Sequence, residues 1–384
     1  MSLSGLIEFY FDFGIPYKDI AALLAHRHNY IISERHLKRI LKSCGLFRRK
    51  GYTSLDQVTS FILEELRSSG KLHGYRWMHA KCVQNGLHVR KEHVRLILQE
   101  LDPQGVELRR ARRLHRRSYF AKGPNYIWHL DSYDKLKPFG ICINGCIDGF
   151  SRKIIWMNAF TTSSDPKIIG GYYINAVESL GGCPRIVRGD RGTENIRVGE
   201  FQRFLRRNIH DGSAIDSYIE GASTSNQRIE SWWGFLRKES MEYYISMLID
   251  LKDRGLFDGA YLDRNLIQFC FMGIIQDELD KTISVWNSHI IRPSKNDRVP
   301  SGRPKVMYMF PELYSTNDCV SPVDDADVQL CHANCTFRPT VPCDTDIYDL
   351  CNILMAESDL QLPNDAHQAL NLYLHLRNVI ISFL

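Results

Sequence analysis

Residues 124–133 read PNYIWHLDSY. The segment Ile127–Tyr133 has strand composition, and Asp131 stands inside it, where a charge is costly unless something compensates it. Two segments of the same texture follow, Ile141–Ile147 (ICINGCI) and Lys153–Ala159 (KIIWMNA), with DGFSR as the turn between them. Three such strands on short connections are predicted to pair antiparallel. Residues Pro166–Leu180 carry helical spacing, opened by Ser164-Asp165-Pro166 and closed by Gly181-Gly182. A short strand, Arg185–Arg188, then runs into GDRGTEN. Periodicity by itself predicts a mixed α/β domain for this part of the chain.

Three carboxylates stand out by position. Asp131 lies in the first strand. Asp190 follows the end of a strand, with Gly192 in the turn after it. Glu230 lies in NQRIESWWGFLRKE, on a predicted helix whose Ile229, Trp233 and Leu236 pack one side. Strand-borne aspartates and a helical glutamate can converge on hard divalent cations, which prefer carboxylate oxygens. Two such ions roughly 3.5–4 Å apart can support in-line displacement at a phosphodiester. Each carboxylate also has a plain reading: Asp131 as a cap or salt-bridge partner, Asp190 as a turn residue, Glu230 as a helix-surface charge. Asp134 and Asp148 are read as turn and surface groups, and Glu194 as a weaker candidate for an extra ligand.

Upstream, the texture is helical and basic. Tyr17–Gly45 reads as two short helices: Ile20, Ala21, Leu23 and Leu24 form the apolar face of the first. Ser33 caps the second, and Leu37, Ile40 and Leu41 line its inner face. The outer side of that second helix carries Arg35, His36, Lys38, Arg39 and Lys42, an arrangement suited to a DNA major groove. The pattern recurs. Ser54-Leu55-Asp56-Gln57 has a capping-box form, and Val58, Phe61, Ile62 and Leu66 follow at helical spacing. A segment Tyr75–Asn85 comes next, then a helix from about Arg90 to Leu101 with Arg90, Lys91, His93 and Arg95 along it. Residues 109–117, RRARRLHRR, hold six arginines, among them Arg112, Arg113, Arg116 and Arg117. Such an arm suits tracking of phosphates, or serves as a solvated linker or nuclear-import patch.

The whole chain has 384 residues, 44% hydrophobic and 24% charged, with a net charge of +5. This is ordinary globular composition at a length that suggests two to four domains. The charge is unevenly spread: residues 1–125 hold 23 Lys and Arg against 11 Asp and Glu, so the remainder is acidic in balance. A basic front end on an acidic body points to an arm that meets a polyanion. No apolar run is long enough to span a membrane. The start, MSLSGLIEFYFDFG, lacks a basic n-region and is not read as a signal peptide. Eleven cysteines, an odd and sparse number, fit a reducing compartment better than a disulfide scaffold.

Taken together, these motifs resemble the integrase-core (retroviral-integrase-like) Asp-Asp-Glu transposases. PNYIWHLDSY is similar to the family's first catalytic strand, and IDGFSRKIIW to its second and third strands with their Ser-Arg turn. RGDRGTEN is similar to the second aspartate motif, and GASTSNQRIESWWGFLR to the glutamate helix and its preceding loop. SVWNSHIIRPS resembles the trailing helix. The region GYRWMHAKCVQNGLHVRKEHVRLILQE with the arginine-rich stretch resembles the front end of insertion-sequence transposases and their eukaryotic relatives. The resemblance implies a ribonuclease-H-like α/β catalytic core, an N-terminal all-α tandem helix-turn-helix region and a small helical C-terminal segment. The expected division is 1–50 and 51–122 for the two helical units, the second with its arm, 123–315 for the core and 316–384 for the C-terminal segment.

The resemblance further implies that Asp131, Asp190 and Glu230 hold two Mg²⁺ (or Mn²⁺) ions. Transposon ends would be cut to a 3′-hydroxyl, which is joined to target DNA. Asn226 and Gln227 match positions near the DNA, and Arg237 and Lys238 suit phosphate contacts. Double-stranded DNA is the expected partner, and holding two ends calls for a dimer or higher homo-oligomer. The site of action is the nucleus in a eukaryotic host and the cytoplasm otherwise. Departures from the family pattern are few. The 39 residues between Asp190 and Glu230 exceed the retroviral spacing by a few, which predicts a loop insertion around His210–Thr224. Arg191 stands where many relatives have Asn. No CxxC occurs, so the zinc module of retroviral integrases is not expected. Among Cys319, Cys331, Cys335, Cys343 and Cys351, scattered buried thiols are favoured over a zinc site with His332. Residues Asp346–Glu357 and His367–Phe383 are predicted amphipathic helices that cover the core or join protomers. Two other functions compete with transposition: a domesticated transposase-derived DNA-binding protein without catalysis, and a ribonuclease-H-like hydrolase of RNA–DNA hybrids. The helix-turn-helix front end weighs against the second.

Overall fold

The computed structural model describes residues 2–48, 50–108, 120–209, 214–221, 226–293 and 299–383. Arg112, Arg113, Arg116 and Arg117, and much of the segment expected to carry the loop insertion, lie outside the described residues. No described helix is long and apolar enough to cross a membrane.

The front end is helical: α1 (Leu3–Asp12), α2 (Tyr17–His28), α3 (Glu34–Ser43), α4 (Leu55–Leu66), α5 (Tyr75–Gln84), α6 (Lys91–Leu101) and α7 (Pro103–Leu108). Ser33 and Ser54 start α3 and α4 by accepting from the amides of His36 and Gln57. Asn29 ends α2 in the left-handed conformation, which Asn tolerates better than most residues. The first three helices close a core around Ile7, Leu23, Leu24 and Leu37 that also takes in Val306 and Phe310. A second core, of Val58, Ile62, Met78, Val94 and Leu98, belongs to α4, α5 and α6.

The centre is a five-stranded sheet of order β3-β2-β1-β5-β6. It is built from β1 (Ile127–Tyr133), β2 (Cys142–Asp148), β3 (Ile154–Phe160), β5 (Ile186–Asp190) and β6 (Tyr218–Gly221); β4 (Gly182–Cys183) pairs elsewhere, with β7 (Ser321–Pro322). β1, β2 and β3 pair antiparallel, while β1–β5 and β5–β6 are parallel. Strand alternation assigns the faces. Trp128 and Leu130 point into a core with Ile169, Tyr173 and Val177 of α8 (Pro166–Leu180) and Phe201 of α9 (Ile196–Leu205). Tyr133 points to the other face, with α10 (Gln227–Leu236), α11 (Glu242–Asp253) and α12 (Tyr261–Ser288). Between α10 and α11 the chain keeps winding through one π-helical turn, Arg237–Met241.

An exposed outer strand is an invitation to pair with another chain, and here β3 is closed by side chains of α12. Gln276 accepts from the Ala159 amide at 2.8 Å and donates to the Met157 carbonyl at 3.1 Å. Three turns further on, Asn287 accepts from the Ile154 amide at 2.9 Å. After α13 (Pro304–Met309) and α14 (Asp325–His332), the last helices α15 (Thr345–Glu357) and α16 (Ala366–Phe383) enter the largest core with Cys351, Leu354, Leu372, Tyr373 and Leu376. The C-terminal helices therefore pack into the core on the α12 side of the sheet. All eleven cysteines are free thiols.

Candidate active site

Parallel pairing aligns Ile127 with Ile186, Trp128 with Val187 and His129 with Arg188. Continuing that register by two residues sets Asp131 beside Asp190, on neighbouring strands. His129 and Asp131 are two apart and so share the face that meets α10. Gly145 lies opposite Asp131 on β2. A Cβ at Gly145 would come within 3.0 Å of the Trp233 ring, so this glycine lets α10 approach the strand.

Glu230 is on α10, one turn past Asn226 and one turn before Trp233, so the three lie along one side of the helix. Trp233 Nε1 donates to Asp131 Oδ2 at 2.8 Å. Asn226 Nδ2 donates to the Leu130 carbonyl at 2.7 Å, and its Oδ1 lies 2.7 Å from His129 Nδ1. Asp190 Oδ1 accepts from Asn195 Nδ2 at 2.7 Å and from the Gly192 amide at 3.3 Å. The same Asn195 nitrogen reaches Glu194 Oε1 at 3.3 Å.

The electrostatics show that the three carboxylates sense one another. Burial pushes the Asp131 carboxyl up to about 7, with the charges of Asp190 and Glu230 adding to the rise and the Trp233 bond opposing it. Burial, then Asp190, raises Glu230. Glu194 is raised by burial and by the charges of Asp190 and Asp134. Among the described residues no three His, Cys, Asp or Glu side chains are gathered closely enough to hold a metal ion. Asp131 and Asp190 are instead held by local donors, and the charges of their acidic neighbours act on Asp131 and Glu230. The donor set nonetheless fits a hard divalent cation. It offers carboxylate oxygens from three elements, and the half-buried Asp131 carboxyl, whose pKa is raised, is one whose charge asks for compensation.

Several sequence-based expectations change here. Asp148 is wholly buried, not a surface group: it accepts from the Asn125 amide at 2.8 Å and from the Ser151 amide and hydroxyl at 2.7 and 2.6 Å. It thus ties the Ser-Arg turn to the start of β1. Asp134 does sit near the surface, where it pairs with Lys137 at 3.1 Å. Asn226, expected near DNA, is 1% exposed and its amide is engaged with β1, so it joins helix to strand instead. Gln227 is half-buried at the helix start. Arg237 is ion-paired with Glu242, both side chains exposed, and such pairs are weak and easily exchanged for a phosphate; exposed Lys238 lies 3.3 Å from buried Glu239. The stretch around His210–Thr224, read as a small loop insertion, contains the edge strand β6.

Several basic residues of the described front end are on the surface. Arg35, Lys38 and Arg39 are exposed on α3; Lys38 pairs with Glu34 at 3.5 Å, and Arg39 donates to His36 at 2.9 Å. Arg90, lying 4.8 Å from the Tyr52 ring centre, precedes exposed Lys91 at the start of α6. The second helical unit docks on the back of the glutamate helix. Trp77 packs edge-on to Phe235 at 4.8 Å, and buried Lys81 meets Glu65 at 2.7 Å and Glu278 of α12 at 3.9 Å. Sequence reasoning missed His129 and Asn195; the only hint was a polar side chain at a position its element buries.

A mixed sheet of this order, flanked by helices on both faces and carrying acidic residues where β1 and β5 adjoin, is compatible with a ribonuclease-H-like nucleic-acid-processing domain. Residues 118–307 match the family model described as an integrase core domain, and this part of the chain belongs to the integrase-core family. That family implies DNA binding and a transposase- or integrase-type function in DNA recombination. No curated protein matches the chain.

Proposed function

We propose that this protein is a DNA transposase or integrase that cuts transposon ends and joins the resulting 3′-hydroxyl to target DNA. The observation that supports this most is the parallel pairing that sets Asp131 beside Asp190, with Glu230 carried over them on α10. Two Mg²⁺ or Mn²⁺ ions on these carboxylates would supply Lewis-acid stabilisation of the attacking and leaving oxygens. The chain's own contribution is to hold the three acids. β1 and β5 fix two of them side by side, Trp233 and Asn195 fix the orientation of each carboxylate, and α10 fixes the reach of the third. The helical front end would carry the DNA through Arg35, Lys38 and Arg39 on α3 and Arg90 and Lys91 at α6, with the arginine arm tracking the backbone. Two ends processed together call for a homo-oligomer on DNA.

One observation favours a second reading, a domesticated DNA-binding protein without catalysis: the three carboxylates are not gathered into a metal-holding group. Labelled duplex ends from the DNA flanking the gene, incubated with Mg²⁺ or Mn²⁺, separate the two. Nicked and joined products establish the transposase; tight, salt-sensitive binding without product establishes the second reading. Replacing Arg112, Arg113, Arg116 and Arg117 together by Ala is expected to flatten the slope of log affinity against log salt by about 3–4. An unchanged slope would make the arm a linker or import signal.

A further inference from the structure

Asn is among the residues that best cap a helix N-terminus, yet Asn226, which stands at the N-cap of α10, makes no side-chain bond to its own helix. Its side chain turns outward to β1. At 1% exposure it has no bulk water to bond, so both ends of the amide need protein partners. A carbonyl oxygen can only accept, so the atom facing Leu130 O must be Nδ2, and Oδ1 must then accept from His129 Nδ1–H. His129 and Leu130 are the two residues immediately before Asp131. Glu230 donates its backbone N–H to the Asn226 carbonyl at 3.2 Å, and Trp233 holds Asp131 from the other side at 2.8 Å. Glu230 is thus flanked along its helix by two polar hooks that both end on β1.

We propose that Asn226 and His129 form a positioning pair that sets the reach of Glu230 toward Asp131 and Asp190, and so sets the affinity of the site for a divalent cation. The proposal rests on the reading of the three carboxylates as metal ligands. Neither residue touches the reacting atoms. Helix ends fray unless tied, and Glu230 lies in the first turn of α10, where a small swing of the helix start moves the carboxylate most.

The test is the melting temperature of the full-length protein during a Mn²⁺ titration, beside strand cleavage of labelled duplex ends at each concentration. Asn226→Ala is expected to raise the Mn²⁺ concentration giving half the melting shift by on the order of 10-fold or more. Its cleavage should recover in part at high Mn²⁺, with duplex binding unchanged. His129→Phe should move the half-point the same way. His129→Gln keeps an N–H for Asn226 Oδ1 and should stay within about threefold of the parent. If Asn226→Ala fails to fold, the His129 pair decides. Half-points unchanged in Asn226→Ala and His129→Phe, with activity falling only as the fold weakens, would overturn the proposal and leave the pair a structural tie. Asp131→Asn separates the two layers of inference. If it responds to Mn²⁺ as the parent does, the ligand reading fails and takes the proposal with it. If it loses the response while Asn226→Ala keeps it, only the positioning role falls.

Discussion

Replacing Asp131 by Asn, Asp190 by Asn or Glu230 by Gln is expected to abolish strand cleavage while leaving DNA binding nearly unchanged. Each change is nearly isosteric and removes one anionic oxygen from the shared site. A loss of several kcal/mol in transition-state stabilisation corresponds to about three decades in rate. DNA binding is expected to survive because the helices that carry the basic residues, α3 and α6, pack into other cores. Asp131→Asn carries a second signature. The carboxylate is half-buried and faces the like charges of Asp190 and Glu230, and an amide oxygen still accepts from Trp233. The metal-free variant should therefore be more stable than the parent, by about 1–3 kcal/mol, seen as a higher melting temperature in chelator. Cleavage retained by any one variant removes that residue from the site; a lower melting temperature for metal-free Asp131→Asn would mean that the charge is compensated in the resting protein.

Arg377→Ala is expected to be the most damaging change outside the site. Arg377 Nε on α16 lies 2.8 Å from Asp263 Oδ1 on α12, and the side chains are 14% and 4% exposed. The other oxygen of Asp263 accepts from the Asp258 amide at 2.8 Å. Removing the guanidinium leaves a buried carboxylate without its counter-charge, which costs about 3–5 kcal/mol. A domain of this size should then melt roughly 5–10 °C lower. Asp263→Asn added to Arg377→Ala should recover part of the loss, because the charge is gone and the amide oxygen still accepts from Asp258. A neutral outcome for Arg377→Ala would mean that water reaches Asp263, and that α16 is held by its apolar face alone. The stakes are more than local, since α16 brings Ala369, Leu372, Tyr373 and Leu376 to the core that backs the glutamate helix.

Much of the local structure was legible in the chain. The segment Ile127–Tyr133 reads as a strand from its own residues and folds as one, and Pro166–Leu180 is delimited by its Asp-Pro start and Gly-Gly stop, with the same bounds in the fold. Ser33 and Ser54 announce α3 and α4 because a cap is a contact within four residues. The failures share a cause. β6 is four residues long, YIEG, with no pattern of its own; pairing with β5 makes it a strand. Asp148 looks like a turn residue because it is one, but the Asn125 amide that buries it comes from more than twenty positions away. Asn226 looks like a loop residue facing DNA until β1 is laid against it.

The candidate site divides the same way. Which residues carry chemistry, and the short-range periodicity that puts each on a strand or helix, were set by the sequence, because those preferences act within a few residues. What only the tertiary structure decided is their company: the register that brings Asp190 alongside Asp131, the amide and indole hooks that hold α10 to β1, and the C-terminal helices that close the core behind it. These are contacts between residues tens to hundreds of positions apart. Their geometry is chosen by the burial of two sheet faces and the pairing of every buried polar group, and no local stretch of sequence encodes that.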